Sequence, residues 1–177
     1  VDRVEEYVIS ERAELFALLR KQNENDSLEI FQLMVADLQA LQTRLIESGE
    51  GNMQKLSVSP DGSHLAWLFS ADTTEHKTWA LHAWEKRTDR KRQLASHDSD
   101  YLPVGYGPSL HRNPWFSDDN SRLFWGISPL PEPLPKDTLL DEEKYSLDIW
   151  HWQDALLQSQ QISELKRERE KTYLAVT

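Results

Sequence analysis

The stretch "SPDGSHLAW", Ser59 to Trp67, returns 58 positions later as "SDDNSRLFW", Ser117 to Trp125. Such a repeat limits the fold more than composition does, because each copy must be a supersecondary unit that buries its apolar face against its neighbours. A looser copy, "SERAELFAL", starts at Ser10 with one residue fewer in its turn. Downstream of each copy, an aliphatic residue follows ten positions after the end of an apolar segment: Val35 leads to Leu45, Trp84 to Leu94 and Trp152 to Ile162.

The turn chemistry and the strand patterns define the unit. Pro60 presets φ for a turn, Asp61 can bond its local backbone, and Gly62 accepts positive φ, so Ser59 to Ser63 reverses the chain. Asn120 stands where Gly62 does, and asparagine tolerates that left-handed conformation well. "HLAWLF" and "RLFWGI" are short, apolar and aromatic, the signature of strands buried on both faces. "TWALHAW" and "SLDIWHW" read as second strands, and "KRQLA" and "SQQIS" as shorter outer strands. Four antiparallel strands per unit, repeated radially, predict an all-β chain: a partial β-propeller of about three blades plus the start of a fourth. The blades fall at 4–48, 52–97 and 112–165, and "KTYLAVT" at 171–177 opens the fourth.

One segment competes with that reading. Met34, Leu38, Leu41 and Leu45 recur at helical spacing among good helix formers. The repeat decides for strands, because "FQLMV", a connector at Asp37 to Ala40, and "TRLI" fall where the other copies have strand, turn and strand. Three blades leave apolar faces and open sheet edges, so the sequence reads as the N-terminal portion of a longer chain.

Charge and residue usage remove several functions. With 20 basic and 30 acidic side chains the net charge is −10, which disfavours nucleic acid or an anionic membrane as the main partner. No apolar run approaches the roughly 20 residues of a membrane span. Cysteine is absent, which excludes disulfides and thiol catalysis. The six histidines lack metal-ligand spacing, and there is no phosphate-binding glycine loop, so no metal or cofactor is expected. A nucleophile elbow requires G-x-S-x-G. "GPSLH" at Gly107 to His111 ends in histidine and carries proline before the serine, so it reads as a loop. "HDSD" at His97 to Asp100 reads as a polar loop between blades, and His82 and His151 read as hydrogen-bonded core histidines. The mixed-sign run "ELKREREK" from Glu164 to Lys171 reads as a solvated connector. No catalytic residue is assigned.

"SVSPDGSHLAWLFS", "NPWFSDDNSRLFWGISPLPEP", "KDTLLDEEKYSLDIWHWQD" and "KREREKTYLAV" together resemble the N-terminal propeller of prolyl oligopeptidase family serine peptidases. The likeness is to dipeptidyl peptidase-like, Bacteroidetes-type members, and it covers nearly the whole chain. It implies a C-terminal α/β-hydrolase domain in the same protein, peptide substrates gated by the propeller, and a periplasmic or secreted location. In the dipeptidyl peptidase branch a glutamate pair on the propeller holds the substrate's free amino terminus. That carries over to Glu142 and Glu143 in "LLDEEK", although the aromatic residues that frame the pair are missing before it. Read on its residues alone, the same run is a solvated acidic turn. The prolines at 129, 131, 133 and 135 stiffen an insertion between two strands of the third blade. The alternative function is a TolB-like or WD-type propeller that serves as a protein-binding scaffold.

Overall fold

A computed structural model describes residues 3–25, 28–72, 76–131, 151 and 153–177. The first four-stranded sheet runs in chain order through β1 (Arg3–Ile9), β2 (Leu15–Asn25), β3 (Leu28–Asp37) and β4 (Gln42–Glu50), all antiparallel. The second repeats the plan with β5 (Asn52–Val58), β6 (His64–Ser70), β7 (Ala80–Glu85) and β8 (Arg90–Ala95). These are two propeller blades, and the segment with competing helical periodicity forms strands β3 and β4. Asp37 closes their connection, its Oδ1 accepting the N–H groups of Gln39 and Ala40, and Leu41 takes a φ of 54°.

The blades meet at two seams. In the first, Leu15, Ala17 and Leu19 of β2 and Phe31, Leu33 and Val35 of β3 face Met53, Leu65, Trp67 and Trp84 of the second blade. In the second, Ala66, Leu68, Trp79, Leu81 and Ala95 meet Leu123 and Trp125 of the third sheet. Strand β6 therefore sends alternate side chains into opposite seams, which is why "HLAWLF" shows no polar face.

The third sheet departs from the expected plan. Its central strand β11 (Leu123–Pro129) is flanked on one edge by two short pieces, β9 (Tyr106–Pro108) and β10 (Trp115–Phe116), and on the other by β12 (Tyr173–Val176). The segment 171–177, expected to open a fourth blade, instead pairs with β11, Trp125 opposite Ala175 as Trp67 is opposite His82 in the second blade. Backbone pairing to β11 captures it because the proline-rich insertion separates two strands of one sheet.

A second compact unit covers Glu132–Lys171. In it "SQQIS", expected as an outer strand, lies within helix α1 (Gln158–Arg169), so the ten-residue spacing ending at Ile162 marks no strand. Glutamine, glutamate, leucine, lysine and arginine all favour helix, and the basic last turn (Lys166, Arg167, Arg169) suits the negative end of the helix dipole. The Gln160 side chain accepts the Leu157 N–H and so caps the first turn. The mixed-sign run thus lies largely on a helix, with Arg167 pairing Glu164 at 2.9 Å. Of "SLDIWHW" only His151 is described. It sits exposed in a turn, not in a strand core, with its N–H on Asp154 Oδ2.

Among the described residues, apolar side chains are exposed on two sheet faces of the blade unit. Tyr7, Ile9 and Leu45 are exposed on the first blade's outer face, and Trp115, Leu174 and Val176 on the third sheet's.

Candidate functional site

The repeated serine turns hold the densest side-chain chemistry. Ser59 donates its backbone N–H to His64 O, and its Oγ accepts the His64 N–H at 2.9 Å. Ser117 does the same with Arg122, and Ser10 with Leu15. Residues Ala13, Gly62 and Asn120 take the left-handed position at φ of 52°, 70° and 59°. All three turns therefore have equal length. The missing residue in the first copy arises from matching Leu15 to Leu65, when the backbone bonds match Leu15 to His64.

In the second turn Asp61 Oδ1 accepts from Ser59 Oγ (2.7 Å), Ser63 Oγ (2.7 Å) and Ser63 N–H (2.9 Å), while Ser63 Oγ lies 2.7 Å from His64 Nδ1. Serine, histidine and aspartate are all present, but in the wrong order for nucleophilic attack. Catalysis needs histidine between the carboxylate and the hydroxyl so that imidazole takes the hydroxyl proton. Here the hydroxyl proton of Ser63 already points at Asp61, so His64 Nδ1 is left to donate to Ser63. Burial raises the Asp61 pKa, but the bonds from Ser63 and Ser59 outweigh it and hold the carboxyl below its ordinary range. The cluster is a brace for the turn, built around the Asp61 carboxylate.

A second concentration of charge crosses the first seam. Glu6 on β1 accepts two successive backbone N–H groups of β5, from Lys55 at 2.8 Å and Leu56 at 3.0 Å, where Lys55 takes a φ of 62° at a bulge. Burial pushes the Glu6 pKa up despite those bonds. Asp37 Oδ2 meets Lys86 Nζ at 2.8 Å, and the Ala40 N–H followed by Lys86 brings its pKa down to about 2. Arg44 Nη1 lies 2.9 Å from Asp89 Oδ1, which also accepts the Trp84 indole N–H at 2.9 Å. Glu47 Oε1 meets Lys91 Nζ at 2.6 Å, and its Oε2 stands 3.9 Å from His82 Nδ1. Burial raises Glu47, yet His82 and Lys91 bring it below the ordinary value.

His82 is buried as expected but not hydrogen-bonded. Both its ring nitrogens lack a hydrogen-bond partner among the described residues, and it is held by ring contacts with Trp67 and Phe69. Two ligands beside the Lys91 ammonium make a poor cation site, and among the described residues no three His, Cys, Asp or Glu side chains converge.

The other sequence candidates disperse. Gly107 and Pro108 lie on the short strand β9. Ser109 is buried in the loop after it, its N–H on Gly126 O and its Oγ accepting the His111 N–H, with no helix to form an elbow. His97 Nε2 does reach Asp98 Oδ1, at 3.3 Å, on the exposed surface. Glu142, Glu143 and Pro133 and Pro135 of the insertion lie outside the described residues. Sequence reasoning missed Glu6, Asp37, Arg44 and Glu47. A signal for Glu47 existed: an acid inside the "TRLIE" strand is unusual unless a cation meets it, as Lys91 does.

No family model matches the chain, and no curated protein matches it. Solved structures do. The chain is similar to the tricorn protease, with a TM-score of 0.50 and 15% identity over 78% of this chain and 12% of that one. It is equally similar to the β-propeller domain of the Trilobed protease from Pyrococcus furiosus, an open-velcro propeller, at TM-score 0.50 and 15% identity over 71% of this chain and 33% of that one. At such identity the likeness establishes the fold, a β-propeller of which this chain is part. The chain spans a third or less of the length of both relatives.

Proposed function

We propose that this chain is the non-catalytic propeller portion of a prolyl oligopeptidase family serine peptidase, gating and selecting peptides for an α/β-hydrolase domain of the same protein. The observation that carries the reading is the fold likeness to two proteases, in one of them to its β-propeller domain. The sequence resemblance and the apolar side chains exposed on two sheet faces support it, since those faces suit further blades. In the proposed enzyme the hydrolase domain performs acyl transfer, serine attacking the peptide carbonyl while histidine takes its proton. The propeller contributes access and orientation, and Glu142 and Glu143 bind the substrate's ammonium group. The same reading places the protein in the periplasm or outside the cell.

The coding sequence beyond Thr177 tests this directly. A G-x-S-x-G elbow followed by aspartate and histidine is expected. Further blades ending in a stop codon would overturn the peptidase in favour of a binding scaffold. In the protein with its hydrolase domain, the double change Glu142→Gln, Glu143→Gln is expected to abolish cleavage of free-amino peptides and spare amino-blocked ones. Equal loss on both substrates would reject the ammonium role.

A further inference from the structure

We infer that a pocket on the first seam is a binding site for an apolar group that ends in a carboxylate. The cavity is about 240 Å³. Its floor is Leu15 and Val35 of the first blade and Trp84 of the second, all buried. Its rim carries Gln42, Arg44 and Lys86. An apolar floor with a few convergent polar groups at the mouth is the general form of a small-ligand site.

The hydrogen-bond inventory sets the sign of the ligand. Asp37, also on the rim, has both oxygens engaged, Oδ1 by the Gln39 and Ala40 N–H groups and Oδ2 by Lys86. Asp89, which does not line the cavity, accepts both Arg44 Nη1 and the Trp84 indole N–H on its Oδ1. What remains on the charged side chains that line the mouth is donor capacity. Among the described residues the Nε and Nη2 edge of Arg44 has no partner, nor has the Gln42 amide, and Lys86 makes a single ion pair. A guanidinium edge of that kind matches a carboxylate with two parallel bonds. A cation would face Arg44 and Lys86, and a neutral apolar molecule would leave the donors unused.

Neither blade forms the site alone. Arg44 and Gln42 come from β4, whereas Trp84 ends β7 and Lys86 follows it, so the ligand bridges two blades. The shared chemistry fits two sources, the C-terminal residue of a peptide and a free apolar carboxylic acid. The site does not rest on the peptidase reading, because it lies wholly within the first two blades.

The test is nuclear magnetic resonance titration of the protein, following the Trp84 indole N–H, with N-acetyl-L-phenylalanine and its amide. The acid is expected to shift that resonance and to bind at least about ten-fold more tightly than the amide, as a charge-assisted pair requires. Arg44→Gln should weaken acid binding by about ten-fold, and Arg92→Gln should leave it unchanged. Should Arg44→Gln lose the native circular dichroism spectrum, Gln42→Ala supplies the second variant, with a smaller loss expected. No shift at millimolar acid, equal binding of acid and amide, or unchanged binding in the folded variants would overturn the site. Acetyl-Ala-Ala-Phe with a free carboxylate separates the sources. Tighter binding than N-acetyl-L-phenylalanine identifies a peptide terminus, and equal binding a small acid.

Discussion

The two seams of the blade unit solve the same packing problem with different materials. The first combines an apolar core with cross-blade polar links from Glu6, Asp37, Arg44 and Glu47. The second is built around apolar contacts, with Trp125 and Leu123 set against Ala66, Leu68, Trp79 and Leu81. Directional bonds fix the register of two blades, whereas apolar contact fixes only their closeness. The first seam should therefore behave as one rigid pair, and the second as the joint at which the unit opens.

Trp125→Ala gives the largest effect. Removing a fully buried indole costs about 3–5 kcal/mol through lost burial and the cavity left behind. The expected outcome in urea is two separated transitions, the third sheet melting first and the first two blades later. A single transition shifted as a whole would show that the seams are equally coupled.

Gly62 and Asn120 occupy the same turn position in the second blade and the third sheet, so the same change can be made in both. A Cβ at Gly62 would stand 3.0 Å from Leu15 Cβ and 3.2 Å from Ser10 Oγ, on the first blade's own turn. Gly62→Ala thus adds overpacking to left-handed strain, about 2–4 kcal/mol in all. Asn120→Ala adds the strain alone, about 1 kcal/mol. The ordering of the two urea midpoints checks this, and equal losses would mean that the first seam yields as readily as the second.

That pair also shows what the sequence could reveal. Turn chemistry is local, so Ser59, Asp61 and Gly62 announced the turn, and Asn120 was recognisable as its equivalent. Ala13 is not recognisable, because alanine carries no signal for positive φ, so the first copy reads as having a turn one residue shorter. Strand β12 was hidden by distance. Strands β7 and β12 hold equivalent places, His82 opposite Trp67 and Ala175 opposite Trp125, but the insertion between β11 and β12 breaks the period that would align them. Helix α1 does not follow the repeat, which predicts an outer strand at "SQQIS" where the local glutamine, glutamate, leucine, lysine and arginine favour helix. Glu6 and its two N–H partners sit about fifty residues apart with no pattern linking them, so only the folded backbone could reveal that site. Glu142 and Glu143 rested on resemblance throughout.

Acid should loosen the first seam by a smaller amount. Asp37, with its pKa brought down to about 2 by the Ala40 N–H and Lys86, contributes stability that is full above its unfolded value of about 3.9 and lost as pH falls through about 2. Glu47 is lowered too and acts in the same direction. Glu6 opposes them. Burial raises its pKa, so its contribution is largest below the unfolded value and fades as pH rises through the folded one. Asp119 at the third sheet's turn, lowered to about 2 by Ser117 and Ser121, adds an acid loss of its own that has nothing to do with the first seam. The informative quantity is therefore the difference between the parent and Asp37→Asn. The variant should be less stable near neutral pH, and its urea midpoint should fall less between about pH 5 and pH 2. Parallel pH curves would show that the Asp37–Lys86 link is a surface pair with no part in holding the blades together.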